Sequence, residues 1–112
     1  MISIMANIFI ELSLALGATG RDNISGRKEG EIFGAEQKLL ELALMGNKII
    51  LRIDDSRIKA INDSFIKGVF SPIFAVLKTR SEVAKYFEVE GNDYYKRLFS
   101  KNWMILEAVE KQ

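Results

Sequence analysis

Apolar and polar positions alternate early in the chain. Ile8, Ile10, Leu12, Leu14 and Leu16 are interleaved with Phe9, Glu11, Ser13 and Ala15. A period of two predicts a strand with one wholly apolar face and one mixed face. Ile2 to Met5 adds strand material ahead of it, either as a hairpin partner or as the start of one long strand broken near Ala6-Asn7. Lys48 to Ile53 (KIILRI) is the clearest strand. Its nearly continuous apolar run predicts a central strand covered on both faces. Lys85 to Glu90 (KYFEVE) alternates again and predicts another.

Helical spacing appears between these strands. From Glu31 to Met45, Ile32, Leu39 and Ala43 share a stripe beside Phe33, Leu40 and Leu44. Gly46 suits the residue just past the helix end. Ile58 to Ile61 is a short extension leading to Asn62-Asp63-Ser64, three helix-start residues in a row. Phe65 to Leu77 then reads as a helix apolar over most of its circumference. Pro72 falls inside it and predicts either a kink or a second short helix capped by Ser71. Asn92 caps a last amphipathic helix, Asp93 to Phe99, and Trp103 to Val109 fits strand or helix equally.

The segment Gly17 to Gly30, GATGRDNISGRKEG, is the one long polar stretch and predicts a loop. Loops of that length in compact domains are commonly functional or mobile. The order β(β)–loop–α–β–α–β–α implies one small α/β domain spanning the chain. We expect a mixed sheet of four to five strands with helices packed on it.

With 112 residues, 48% hydrophobic, the chain suits one domain with one core. The charge balance is nearly even, 16 Lys+Arg against 15 Asp+Glu, so the global basic excess of a nucleic-acid binder is missing. There is no cysteine and no histidine. That excludes disulfides, thiolate or imidazole metal sites, Cys nucleophiles and Ser-His-Asp triads. The apolar N-terminus lacks a preceding Lys or Arg and is interrupted by Asn7 and Glu11. It therefore reads as buried strand rather than secretory signal or membrane span.

Four groups carry candidate chemistry. Asp63-Ser64 lies at a helix start, where capping accounts for such residues and a regulatory site is the sharper reading. Arg21, Arg27 and Lys28 sit in the glycine-rich loop ahead of a helix, a combination able to hold a phosphate, although the Walker pattern is missing. Asp54-Asp55 ends a strand, and no third ligand at useful spacing supports a metal. Tyr86, Tyr94 and Tyr95 beside Lys96, Arg97 and Lys101 would suit stacking on single-stranded nucleic acid, with a solvated helix face as the plainer reading. We expect no catalytic residues, no metal and no cofactor.

The segment IILRIDDSRIKAINDSFIKGVFSPIF, Ile49 to Phe74, resembles the core of STAS domains. There a strand ends in an acidic residue, and a turn and a hydrophobic step lead to Asp-Ser at a helix start. Asp54, Ile61 and Asp63-Ser64 stand in those places. Gly20-Arg21, Gly30-Glu31, Phe33 and Ser64-Phe65 look like the STAS-like domains of unknown function, and the likeness covers about Gly17 to Phe99. The resemblance implies a cytoplasmic, non-catalytic regulatory or scaffold protein that docks a protein partner. That partner would be a histidine-kinase-like ATPase or a second copy in a homodimer. STAS antagonists are switched by phosphorylation in an Asp-Ser-Ser-Gly pattern. Here Phe65 and Ile66 replace the second Ser and the Gly, which leaves Ser64 as the candidate acceptor. The alternative is a binding module or enzyme for a phosphate or nucleotide, using the loop; nucleic-acid binding ranks last.

Overall fold

The computed structural model describes residues 6–17 and 22–111. In chain order the elements are β1 (Asn7–Glu11), α1 (Leu12–Ala15), β2 (Asp22–Ile24), α2 (Arg27–Glu36), α3 (Leu39–Leu44) and β3 (Lys48–Arg52), followed by β4 (Ile58–Ile61), α4 (Asp63–Leu77), α5 (Arg80–Tyr86), β5 (Phe87–Glu90) and α6 (Asp93–Glu110). The α/β class and the single small domain are as expected. Among the described residues five strands are divided between two sheets, β1-β3-β5 and β2-β4, rather than joined in one mixed sheet, and every pairing is parallel.

KIILRI is the central strand, and Ile49, Ile50 and Leu51, which alternate between its faces, are all buried. Ile49, Leu51 and Phe87 are fully buried beneath the helices. On the other face the register places Phe9 beside Ile50 and Glu88. Here Lys48 pairs with Glu88 at 3.2 Å and Arg52 with Glu90 at 2.8 Å. The Arg52 guanidinium lies 4.2 Å from the centre of the Phe9 ring, and Phe9 is 51% exposed. Ile50 on this face is only 4% exposed.

The alternation that predicts strand through Leu16 stops at Glu11, where the chain turns into α1. Ile2 to Met5 lies outside the described residues. The helix expected over Glu31 to Met45 is two helices, because Lys38 adopts a left-handed conformation at φ 56°. Its sequence gave no sign of this, since Lys38 is neither Gly nor Asn. α4 runs unbroken through Pro72. Lys85 and Tyr86 belong to α5, and the strand begins at Phe87. The undecided stretch Trp103 to Val109 continues α6.

The core is built on α4. Phe65, Ile66, Phe70, Ile73 and Phe74 are each at most 1% exposed. Phe70 meets Phe87, Phe99 and Trp103 in edge-on contacts with centroids 5.4, 6.1 and 5.1 Å away. Offset, tilted ring pairs of this kind add roughly 0.5–1.5 kcal/mol each beyond area burial.

The closest helix contact is α2 on α4. A Cβ on Gly30 would lie 2.2 Å from the Phe65 carbonyl oxygen, and one on Gly68 would lie 2.0 Å from that of Arg27. Only hydrogen at both positions lets the backbones approach this far.

Candidate functional site

β2 and β4 pair side by side, and each feeds directly into a helix. The starts of α2 and α4 are therefore brought together. The Asn62 amide donates to the Ile24 carbonyl at 2.7 Å, which closes the small sheet at its helical end. Next along, the Gly26 amide donates to the Ser64 hydroxyl oxygen at 3.2 Å. Gly26 can make this bond because it precedes α2 at φ 101°, a conformation that side chains resist.

Ser64 is half-buried and sits in the first turn of α4 rather than at its cap. Its own O–H donates to no group among the described residues. Asp63 is also half-buried and faces the third helix of this corner. The Asn102 side-chain amide donates to Asp63 Oδ1 at 2.8 Å, and Lys101 Nζ lies 3.4 Å from Oδ2. The Asn102 bond, aided by Lys101 and Lys67 and opposed by partial burial, holds the Asp63 carboxyl below its ordinary range. Neither residue caps with its side chain; Asn62 occupies the cap position, also without a side-chain bond.

Arg27 and Lys28 are not loop residues: they form the first turn of α2. The expected loop is shortened by β2 and by this early helix start. Arg27 reaches across to α4, donating to Ser71 Oγ at 2.9 Å, and approaches Glu31 at 3.9 Å. Lys28 is exposed. Arg21 lies outside the described residues. Arg27, Lys67 and Ser71 line a cleft of about 340 Å³ whose opposite wall is Ile105, Leu106 and Val109 of α6.

Two groups that the sequence presents as separate thus meet. Asp63-Ser64 and the start of α2 share one corner, joined by the Gly26–Ser64 bond. Sequence reading missed Asn102, Lys67 and Ser71 here. Asn102 carried no signal, being one polar residue inside an amphipathic helix. The Gly26, Gly30 and Gly34 series was legible, since glycine at every fourth position marks one helix face for close approach.

The other candidates resolve into structure. Asp54 accepts from the Ser56 hydroxyl at 2.6 Å and the Ser56 amide at 2.9 Å, which fixes a turn and lowers its pKa. Asp55 accepts from Asn92 at 3.2 Å. Among the described residues no group of three Asp or Glu is placed to hold a metal. The tyrosines do not form a stacking row: Tyr95 is buried, Tyr94 is exposed and Tyr86 is half-buried on another helix.

Comparison with family models, curated proteins and solved structures finds no match to this chain. Among the described residues no helix is long and apolar enough to cross a membrane.

Proposed function

We propose that this chain is a non-catalytic, cytoplasmic regulatory or scaffold protein that works by docking the α2–α4 corner onto a protein partner. The observation that carries this reading is the Gly26–Ser64 bond. It places a hydroxyl, a carboxylate and the exposed Lys28 around one half-open junction of two helix starts. The likeness of Ile49 to Phe74 to STAS domains supports the same surface and points to a kinase-type ATPase or a second copy as the partner. A phosphoryl group on Ser64 would add about −2 charge beside Asp63 and displace the Gly26 amide, undocking the surface.

The test is affinity capture and light scattering on the full chain, with Ser64→Glu, Lys28→Glu and the remote Glu41→Lys. We expect a stoichiometric partner or a dimer that the first two variants lose and the third keeps. A wild-type chain that stays monomeric and recovers no partner overturns the proposal.

One observation favours a second reading, a small phosphorylated ligand. Arg27, Lys67 and Ser71 converge on one cleft with an apolar wall. A nucleotide at 100 times its Kd would stabilise the fold by about 2.7 kcal/mol. A thermal-shift series with no response to any nucleotide removes it.

A further inference from the structure

A different part of the molecule shows an open strand edge beside a groove. β5 is the last strand of its sheet, with β3 on one side and no strand on the other among the described residues. The Ile53 amide donates to the Glu90 carbonyl at 2.8 Å, and Glu90 is registered on Arg52. In a parallel ladder the bonding residues alternate along the strand. Glu88 and Glu90 therefore address β3, while Phe87 and Val89 turn their backbone groups outward. The Phe87 amide is used by α5, donating to the Val83 carbonyl. The Phe87 carbonyl and the amide and carbonyl of Val89 are left without partners among the described residues.

Beside this edge runs a groove of about 380 Å³ between α5 and α6. Phe87, Val89, Ala84, Phe99 and Trp103 give it an apolar lining. Arg80 at its mouth is already held by Glu107 at 3.1 Å, and Lys96 is its remaining cation. The indole N–H of Trp103 is buried with no acceptor among the described residues. A buried donor without a partner costs roughly 1–3 kcal/mol, so this wall would gain from any shift that brought it an acceptor.

On the far face of the sheet the charges alternate in sign from strand to strand. Lys48 and Arg52 on β3 oppose Glu88 and Glu90 on β5. The next position in that series, beyond the edge, calls for cations.

We propose that β5 receives an extended peptide as a fourth strand, apolar at the residues facing the groove and Lys or Arg at the alternate ones. Backbone bonds to Phe87 and Val89 would supply register, the groove would take the apolar side chains, and Glu88 and Glu90 would select the basic ones. This surface is separate from the α2–α4 corner, and neither proposal depends on the other.

The test titrates the full chain with acetyl-Ile-Lys-Val-Lys-Ile-amide and with its Glu-for-Lys counterpart. Trp103 is the only tryptophan, so its emission reports the groove directly. We expect an emission shift with the basic peptide and slowing of Val89 amide exchange by about tenfold. The acidic peptide should bind about five- to tenfold more weakly. Val89→Pro removes the outward amide, and Ala84→Phe fills the groove from an exposed helix position. Each should weaken binding while the far-ultraviolet spectrum stays unchanged. No shift at millimolar peptide, or binding indifferent to peptide charge, overturns the proposal. So does a dimer with the Val89 amide protected before peptide is added, which assigns the edge to a second copy.

Discussion

Asn102 and Asp63 are joined by a 2.8 Å hydrogen bond that ties the middle of α6 to the first turn of α4. The same Asn102 amide also donates to the Leu98 carbonyl at 2.9 Å, and its side-chain oxygen is buried without a donor among the described residues. Both amide protons are committed, and exchanging the oxygen for the nitrogen would set it against two acceptors. Asn102→Ala should therefore cost about 1–3 kcal/mol in urea denaturation, because Asp63 and the Leu98 carbonyl lose their donor.

The pH dependence of that loss has a definite sign. The folded Asp63 pKa lies below its ordinary 3.8, chiefly because Asn102 bonds the charged form. Its stabilising contribution is thus complete above the unfolded pKa and disappears as pH falls through the lower folded value. Wild-type stability should decline on acidification below about pH 4, the usual range for an aspartate. Asn102→Ala should show a shallower decline in that window. Equal slopes for the two proteins would remove Asn102 as the cause.

The glycines of the α2–α4 contact should split in sign. Gly30→Ala and Gly68→Ala each push a methyl group into backbone at 2.2 and 2.0 Å. Overpacking usually costs about 1–3 kcal/mol, and contact with rigid backbone belongs at or above the upper end. Gly34→Ala meets the Val69 carbonyl oxygen at 3.4 Å and the Val69 Cα at 3.9 Å, both ordinary contacts. There the reduced freedom of the unfolded chain should win, raising stability by about 0.4–1 kcal/mol. Thermal melts of the three variants check the ordering.

Pro72 is exposed in a helix that continues on both sides of it. It lacks the amide that would bond the Gly68 carbonyl. Pro72→Ala should raise stability by about 1–3 kcal/mol, less the entropy that proline removes from the unfolded chain. A fall in melting temperature would show that the proline shapes the α4 surface instead.

Asn92 caps α6, accepting from the Tyr95 amide at 3.0 Å while donating to Asp55 at 3.2 Å. Asn92→Ala should cost about 0.5–2 kcal/mol, and Asn92→Asp less, since it keeps the acceptor. Chemical denaturation of both variants separates the cap from the Asp55 contact.

Local pattern carried the α/β class, the central strand and the buried α4 helix. KIILRI could be recognised because its six residues leave few other ways to bury so much aliphatic surface. Asn92 was readable as a cap because its signal is confined to one turn. What escaped depends on distant partners. Asp22–Ile24 is a strand only because Ile58–Ile61 lies beside it, and Lys38 breaks a helix against its own propensity. The candidate site was half legible. Asp63, Ser64, Arg27 and Lys28 were named as separate groups, but their meeting follows from the pairing of β2 with β4, which no local spacing encodes.

That pairing pattern has a kinetic consequence. Among the described residues no strand is bonded to its neighbour in sequence: β1 joins β3, β3 joins β5, and β2 joins β4. Each ladder requires closure of a long intervening segment before its bonds can repay the lost chain entropy. The β2–β4 ribbon is too small to persist alone, so it must await the assembly of α4 on the larger sheet. In stopped-flow refolding, the corner that unites Gly26 with Ser64 should therefore be among the last regions to acquire amide protection.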